Sequence, residues 1–247
     1  MSKWNQFSAK KRMRIILWGL IIVGVGLATL SSFTNGQLQL QGVISNLSTG
    51  LISSAITFVL LNRQIDDKRN EEDLKQNLTL RLSSRDAGTA LAAAEELQAR
   101  GWLRDGTLRN AKLNEACLEN ANLVHANLQG AQLVGANLKG ANLTYANLQG
   151  ADLGNAHLER TDAHAPRAAT LWYADLRDAK IGSATLYGVN LGGADLRGAD
   201  LHGATLTAAE INDATKFDEK TRLPDGKFWT RETRMPDYTN RRIIGFA

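Results

Sequence analysis

Between Leu108 and Ile211 a leucine, or an isoleucine in its place, returns every fifth residue. One phase holds Leu113, Leu118, Leu123, Leu128, Leu133, Leu138, Leu143, Leu148, Leu153 and Leu158, and an alanine stands two places before each, from Ala111 to Ala156. At about 100° per residue a helix would scatter these leucines around its axis, and an odd period in a strand would alternate them between faces. The chain must therefore turn once per unit. Locally extended residues put the Ala and the Leu on one side, so each unit offers a small and a large side chain to the interior. Glycine often follows two places after the Leu, as at Gly130, Gly150 and Gly203, where a backbone without Cβ takes corner geometry. Right-angle corners close a coil after four units, and stacked coils rise by roughly the 4.8 Å of a β ladder.

The register is clearest in NLQGAQLVGANLKGANLTYANLQGADL, Asn127 to Leu153. This pattern resembles the pentapeptide-repeat family, whose consensus is A(D/N)LXX, and the resemblance covers Leu108 to about Phe217. It implies an all-β solenoid, a right-handed quadrilateral β-helix of about five coils. About activity it implies little. Some members of the family resemble DNA in shape and charge and occupy the DNA groove of type II topoisomerases.

The phase breaks once. After Leu158 the units weaken to Thr161, Asp162 and Ala163, the stretch HAPRAAT at 164–170 intervenes, and Ala169 and Leu171 restart the pattern. With Ala163 counted as the twelfth unit, three residues are extra and fall at a corner between coils. Aromatic residues gather there in outward positions: Tyr145, Trp172, Tyr173 and Tyr187, with Pro166 in the loop. Exposed aromatics beside an irregular loop have the make-up of a protein-binding hot spot. The other reading is that they cover the bulge and pack its proline.

Other chemistry-bearing residues lack the spacing of a site. His125, His157, His164 and His202 fall on different corners and faces without paired ligands, and Cys117 is the single cysteine. Asn or Asp just before many leucines, as at Asn142, Asp152 and Asn190, suggests hydrogen-bonded side-chain ladders between coils. The expectation is no catalytic residue, no cofactor and no metal, and a chain that is not an enzyme.

The flanks divide by charge. Residues 1–14 are basic, and 15–33 and 43–61 are uncharged runs of about the length that spans a hydrocarbon core. They predict two transmembrane helices joined by an external loop at 34–42, the first open to reading as a cleavable signal peptide and the second as a buried or interfacial helix. Basic residues outside the pair place both termini in the cytoplasm, as a multi-pass protein of the plasma (inner) membrane. Residues 62–82 read as a charged helical stalk whose stripe Leu61, Ile65, Leu74, Leu78 and Leu82 is either solvated or covered by a partner helix in an oligomer. A capping helix follows at 83–106, with Ser83 and Asp86 at capping-box spacing. The repeats take 107–217, and 218–247 supply a C-terminal cap and a basic tail.

Charge narrows the function. Residues 107–217 hold nine basic and eleven acidic residues, a net of −2. Duplex DNA carries one charge per about 1.7 Å, so a mimic about 25 Å long needs on the order of fifteen negative charges. That argues against DNA mimicry and against nucleic acid as a partner. The leading expectation is a membrane-tethered cytosolic scaffold for an unidentified protein partner. The alternatives are a DNA-mimic regulator of a type II topoisomerase and an oligomeric membrane sensor or pore, self-associating through the stalk or the membrane helices.

Overall fold

The unit 151–155 shows how the backbone groups of this chain are satisfied. The N–H of Ala151 donates to Leu148 O (2.9 Å), that of Asp152 to Ala131 O in the coil below (2.9 Å), and that of Leu153 to Lys180 O in the coil above (2.7 Å). Asn155 N donates to Gly182 O above (3.0 Å), and Gly154 N to Asp152 Oδ1 within the unit (3.1 Å). All five donors are used, so a segment without a helix or a long strand leaves no buried N–H unpaired.

This computed structural model describes residues 18, 19, 22, 23, 25, 38–159 and 168–239. Parallel bridges link residues twenty apart, such as Lys112 with Gln132 and Gln132 with Asp152. The result is a four-sided coil of about five turns, near 25 Å tall at ladder spacing. The leucines and alanines are buried in columns, Leu118, Leu138 and Leu158 in one of them, each at 0% exposure. At the described corners of the coil the residue two places after the repeat leucine takes left-handed backbone geometry. Glycine supplies it at Gly130 and Gly150, while His125, Tyr145 and Tyr173 adopt it with φ of 58°, 57° and 53°.

Two details of the register differ from expectation. Asn142 pairs with Thr170, and His157 with Thr185. Leu171 is therefore the unit that follows Leu158 in the ladder. Eight residues rather than three are therefore extra between these two units, and the unit expected at Ala163 lies outside the described residues. Many of the Asn and Asp side chains before a leucine also bond locally, Asn142 Oδ1 accepting from Thr144 N (3.1 Å) and Asn190 Oδ1 from Gly192 N (2.9 Å), while Asn137 Nδ2 donates to Glu119 Oε2 in the neighbouring coil (3.1 Å). A short acceptor two residues back reaches this N–H more easily than it reaches the next coil. Gln129 and Gln149 do bond across coils, at 3.1 Å.

Helix α1 spans Leu38–Leu82 and α2 Ala87–Ala99. The chain divides into two compact units, 1–72 and 73–247, with the boundary inside α1. In the second unit Leu78 and Leu82 are fully buried, with Leu74 packed against the same core. The end of the charged helix is therefore part of the cover on the first coil. α2 adds Ala90, Ala93, Ala94 and Leu97 to the core. Its N-cap is Asp86, which accepts from Thr89 N at 2.8 Å. Ser83 instead closes the preceding helix, its hydroxyl donating to Leu80 O. The first coil's downward-facing N–H groups find carbonyls in this cover: Cys117 N donates to Ser84 O (2.9 Å) and Asn127 N to Leu103 O (2.7 Å). At the other end Thr215 and Thr221 stand where alanine stood, their hydroxyls donating to Leu191 O and Leu196 O, both at 2.9 Å.

The expected transmembrane hairpin is corrected. Among the described residues no helix is long and apolar enough to cross a membrane. The apolar run 43–61 is not a separate helix: it continues unbroken into the charged residues that follow Leu61 in α1. The described part of that run is diluted by Ser48, Thr49, Gly50, Ser53, Ser54 and Thr57, the last with its hydroxyl on Ser53 O at 3.0 Å. Most of 15–33, with the loop 34–37, lies outside the described residues. Membrane-helix character, multi-pass localisation and the cytoplasmic placement built on them are set aside together.

Candidate functional site

The ladder stacks equivalent corners directly above one another. One corner carries His125, Tyr145, Tyr173 and Gly193 in successive coils, joined by His125 N to Thr144 O, Tyr145 N to Trp172 O and Tyr173 N to Gly192 O, each at 2.9 Å. Three of these positions bear rings. His125 stacks on Tyr145 (centroids 5.1 Å, planes 10° apart) and Tyr145 on Tyr173 (5.6 Å, 20°). Trp172 meets Tyr173 edge-on at 4.7 Å and lies 5.7 Å from Tyr145. Gly193 closes the column, since a Cβ there would lie 2.7 Å from the Tyr173 ring. Exposure remains high, at 45% for Tyr145, 40% for Trp172 and 44% for Tyr173.

The structure thus brings together three of the five residues expected to bind a partner. Tyr187 is equally exposed but stands at the neighbouring corner, beside Gly188, and Pro166 lies outside the described residues. His125 was missed from sequence, where it read as an isolated surface histidine. The signal was positional: His125 and Tyr145 are twenty residues apart and both two places after a leucine, so they had to stack.

The adjoining face is ordered by charge. Arg177 grips Asp175 through Nε (2.8 Å) and Nη2 (2.6 Å), and Arg197 grips Asp195 with the same pair of distances. These bonds hold both guanidinium groups above their usual range and draw the Asp195 carboxyl below its own against the opposing effect of burial. Lys139 pairs with Glu159 at 3.0 Å. Among the described residues no cluster of His, Cys, Asp and Glu could hold a metal ion.

A packed core, four sides and outward corners define a repeat solenoid. The pentapeptide-repeats family model matches eight copies, over residues 121–160 and 174–213. The chain belongs to the pentapeptide-repeat family. Among solved structures it is similar to a pentapeptide-repeat protein of the Arabidopsis thaliana thylakoid lumen, at 27% identity over 54% of this chain and 90% of that one, with a TM-score of 0.43. A pentapeptide-repeat protein from Nostoc PCC 7120 shows 30% identity over 52% and 95%, with a TM-score of 0.35. Rfr23 from the cyanobacterium Cyanothece 51142 shows 33% identity over 44% and 66%, with a TM-score of 0.33. No curated protein matches the chain.

Proposed function

We propose that this protein is a non-catalytic interaction scaffold whose contact surface is the corner formed by Tyr145, Trp172 and Tyr173 on the base of His125. The observation that carries this reading is the combination of stacking, exposure and backbone cost. Left-handed geometry disfavours a residue with a Cβ by roughly 1–2 kcal/mol; eight equivalent corners of this coil use glycine, and most of the others use a small or polar residue such as Asn110, Asn120, Asp178 or Ser183. Tyrosine there is a local expense that the fold does not require, whereas rigid exposed aromatics are what protein interfaces concentrate. Stacking locks the rings before contact, so little side-chain freedom is lost on binding.

The surface gives the DNA-mimic alternative little support. Its acids are matched by its own bases, as in the Asp175–Arg177 and Asp195–Arg197 pairs, and a DNA-like strip of unopposed negative charge does not follow from them.

The test is site-specific photo-crosslinking in cells, with the reactive residue at Tyr187, beside the corner, and at Lys112 as a distant control. A specific adduct at Tyr187 that disappears when Trp172→Ala and Tyr173→Ala are combined, with the circular dichroism unchanged, supports the assignment. An adduct of the same yield in the double variant removes this corner as the contact. Protection of gyrase in a supercoiling assay would instead favour mimicry.

A further inference from the structure

The C-terminal cover does more than close the last coil. Between it and that coil lies a cavity of about 760 Å³, within the range of small-molecule sites. One wall is aromatic: Phe217 and Trp229 stack with centroids 6.0 Å apart and planes at 14°. The rim is cationic, with Arg197, Lys216, Arg231 and Arg234 facing one acid, Glu232. Asp195 holds Arg197. Lys216, Arg231 and Arg234 form no ion pair among the described residues.

The wall that carries the two arginines is fixed at several points. Trp229 N donates to Thr221 O (2.8 Å), and Thr233 N to Thr230 O (3.0 Å), with Thr230 N returning to the Thr233 hydroxyl (2.9 Å). Met235 is buried in the core, the Tyr238 hydroxyl donates to Asp225 Oδ2 (3.1 Å), and Ala208 N donates to Thr239 O (2.7 Å). The arginines therefore rise from an anchored segment.

Covering the last coil calls for apolar groups, which Phe217, Leu223 and Met235 provide. Arg231, Arg234 and Lys216 around one hollow repel one another and add nothing to that cover, with only Asp195, already held by Arg197, to offset Lys216. An anion would relieve the repulsion, and the indole beside it would take a flat ring. We infer that this cavity binds a phosphorylated planar molecule of the mononucleotide class, with the phosphate on Arg231, Arg234 and Lys216 and the ring against Trp229. The site is separate from the aromatic corner and stands or falls without it.

Isothermal calorimetry on the full chain tests this with three probes: adenosine monophosphate, adenosine and inorganic phosphate. The nucleotide binds at least tenfold more tightly than either fragment, and weakens as salt rises. Combining Arg231→Ala with Arg234→Ala lowers its affinity at least tenfold while the thermal melt stays in place, because both side chains are exposed. Trp229→Leu lowers nucleotide affinity and leaves that of phosphate unchanged. No heat from millimolar nucleotide, phosphate binding equal to that of the nucleotide, or undiminished affinity in the double arginine variant would each overturn the assignment.

Discussion

Gly193→Ala tests the aromatic column through its backbone. Gly193 has φ of 69°, and an added Cβ would meet three atoms of the Tyr173 ring at 2.7–2.8 Å. Gly150 has nearly the same φ, 65°, with nothing within 4 Å of an added methyl, so Gly150→Ala isolates the left-handed cost. That cost is about 1 kcal/mol once the stiffer unfolded chain is counted. A ring displaced from Gly193 either presses on Tyr145, 5.6 Å away between centroids, or leaves the stack, and the disturbed packing adds about 1–3 kcal/mol. Gly193→Ala is thus expected to cost about 3 kcal/mol, or roughly 6–12 °C in melting temperature, against about a third of that for Gly150→Ala. Adding Tyr173→Ala to Gly193→Ala should recover most of the difference, giving a coupling of about 1–3 kcal/mol in a double-mutant cycle. Urea titration followed by far-ultraviolet circular dichroism measures all four stabilities. Equal losses at the two glycines, with no coupling to Tyr173, would refute the stacked column and with it the argument for a preformed contact surface.

Other expectations follow from the core and from charge. Leu138→Ala empties a site closed by Leu118 and Leu158 in the coils below and above, and should cost about 3–4 kcal/mol, whereas outward Lys112→Ala should cost under about 0.5 kcal/mol by the same titration. Lys139→Ala should cost more than Lys112→Ala, since it leaves Glu159 with only His157, at 3.6 Å, in place of the ammonium at 3.0 Å; equal losses would contradict that pairing. Arg197 draws the Asp195 carboxyl below its ordinary range. A lowered folded value contributes stability that is complete above the unfolded value near 4 and is lost as the pH falls through the folded one. Asp195→Asn should therefore flatten the fall in melting temperature between about pH 5 and pH 2, and an unchanged slope would count against the linkage.

The repeat was legible because each unit is specified by its own five residues. The inward Leu and Ala, the turn and the four-sided coil could be read without knowing what lay above or below. What the sequence hid depended on neighbours. Thr161 to Ala163 copy the composition of a unit, and only the pairing of Asn142 with Thr170 shows that the ladder passes from Leu158 to Leu171. Leu78 and Leu82 belong to a helix whose charge suggested a solvated stalk, yet they are buried at the end of the coil. The apolar run at 43–61 had the length of a membrane span, but length and lack of charge do not separate a span from part of a long helix. At the candidate site Tyr145, Trp172 and Tyr173 were visible as exposed aromatics. Their stacking on His125 and the glycine lid required counting in twenties as well as fives.

The twenty-residue closure sets what this rod can tolerate as it diverges. Inserting or deleting one whole coil would lengthen or shorten it by about 4.8 Å and leave every vertical column in line. A change of five residues would preserve each leucine's inward position yet swing everything beyond it by a quarter turn, carrying the basic hollow to a different side from the aromatic corner. Angular phase, rather than length, is what keeps two such surfaces in a fixed relation, and gene duplications of twenty are the steps that conserve it.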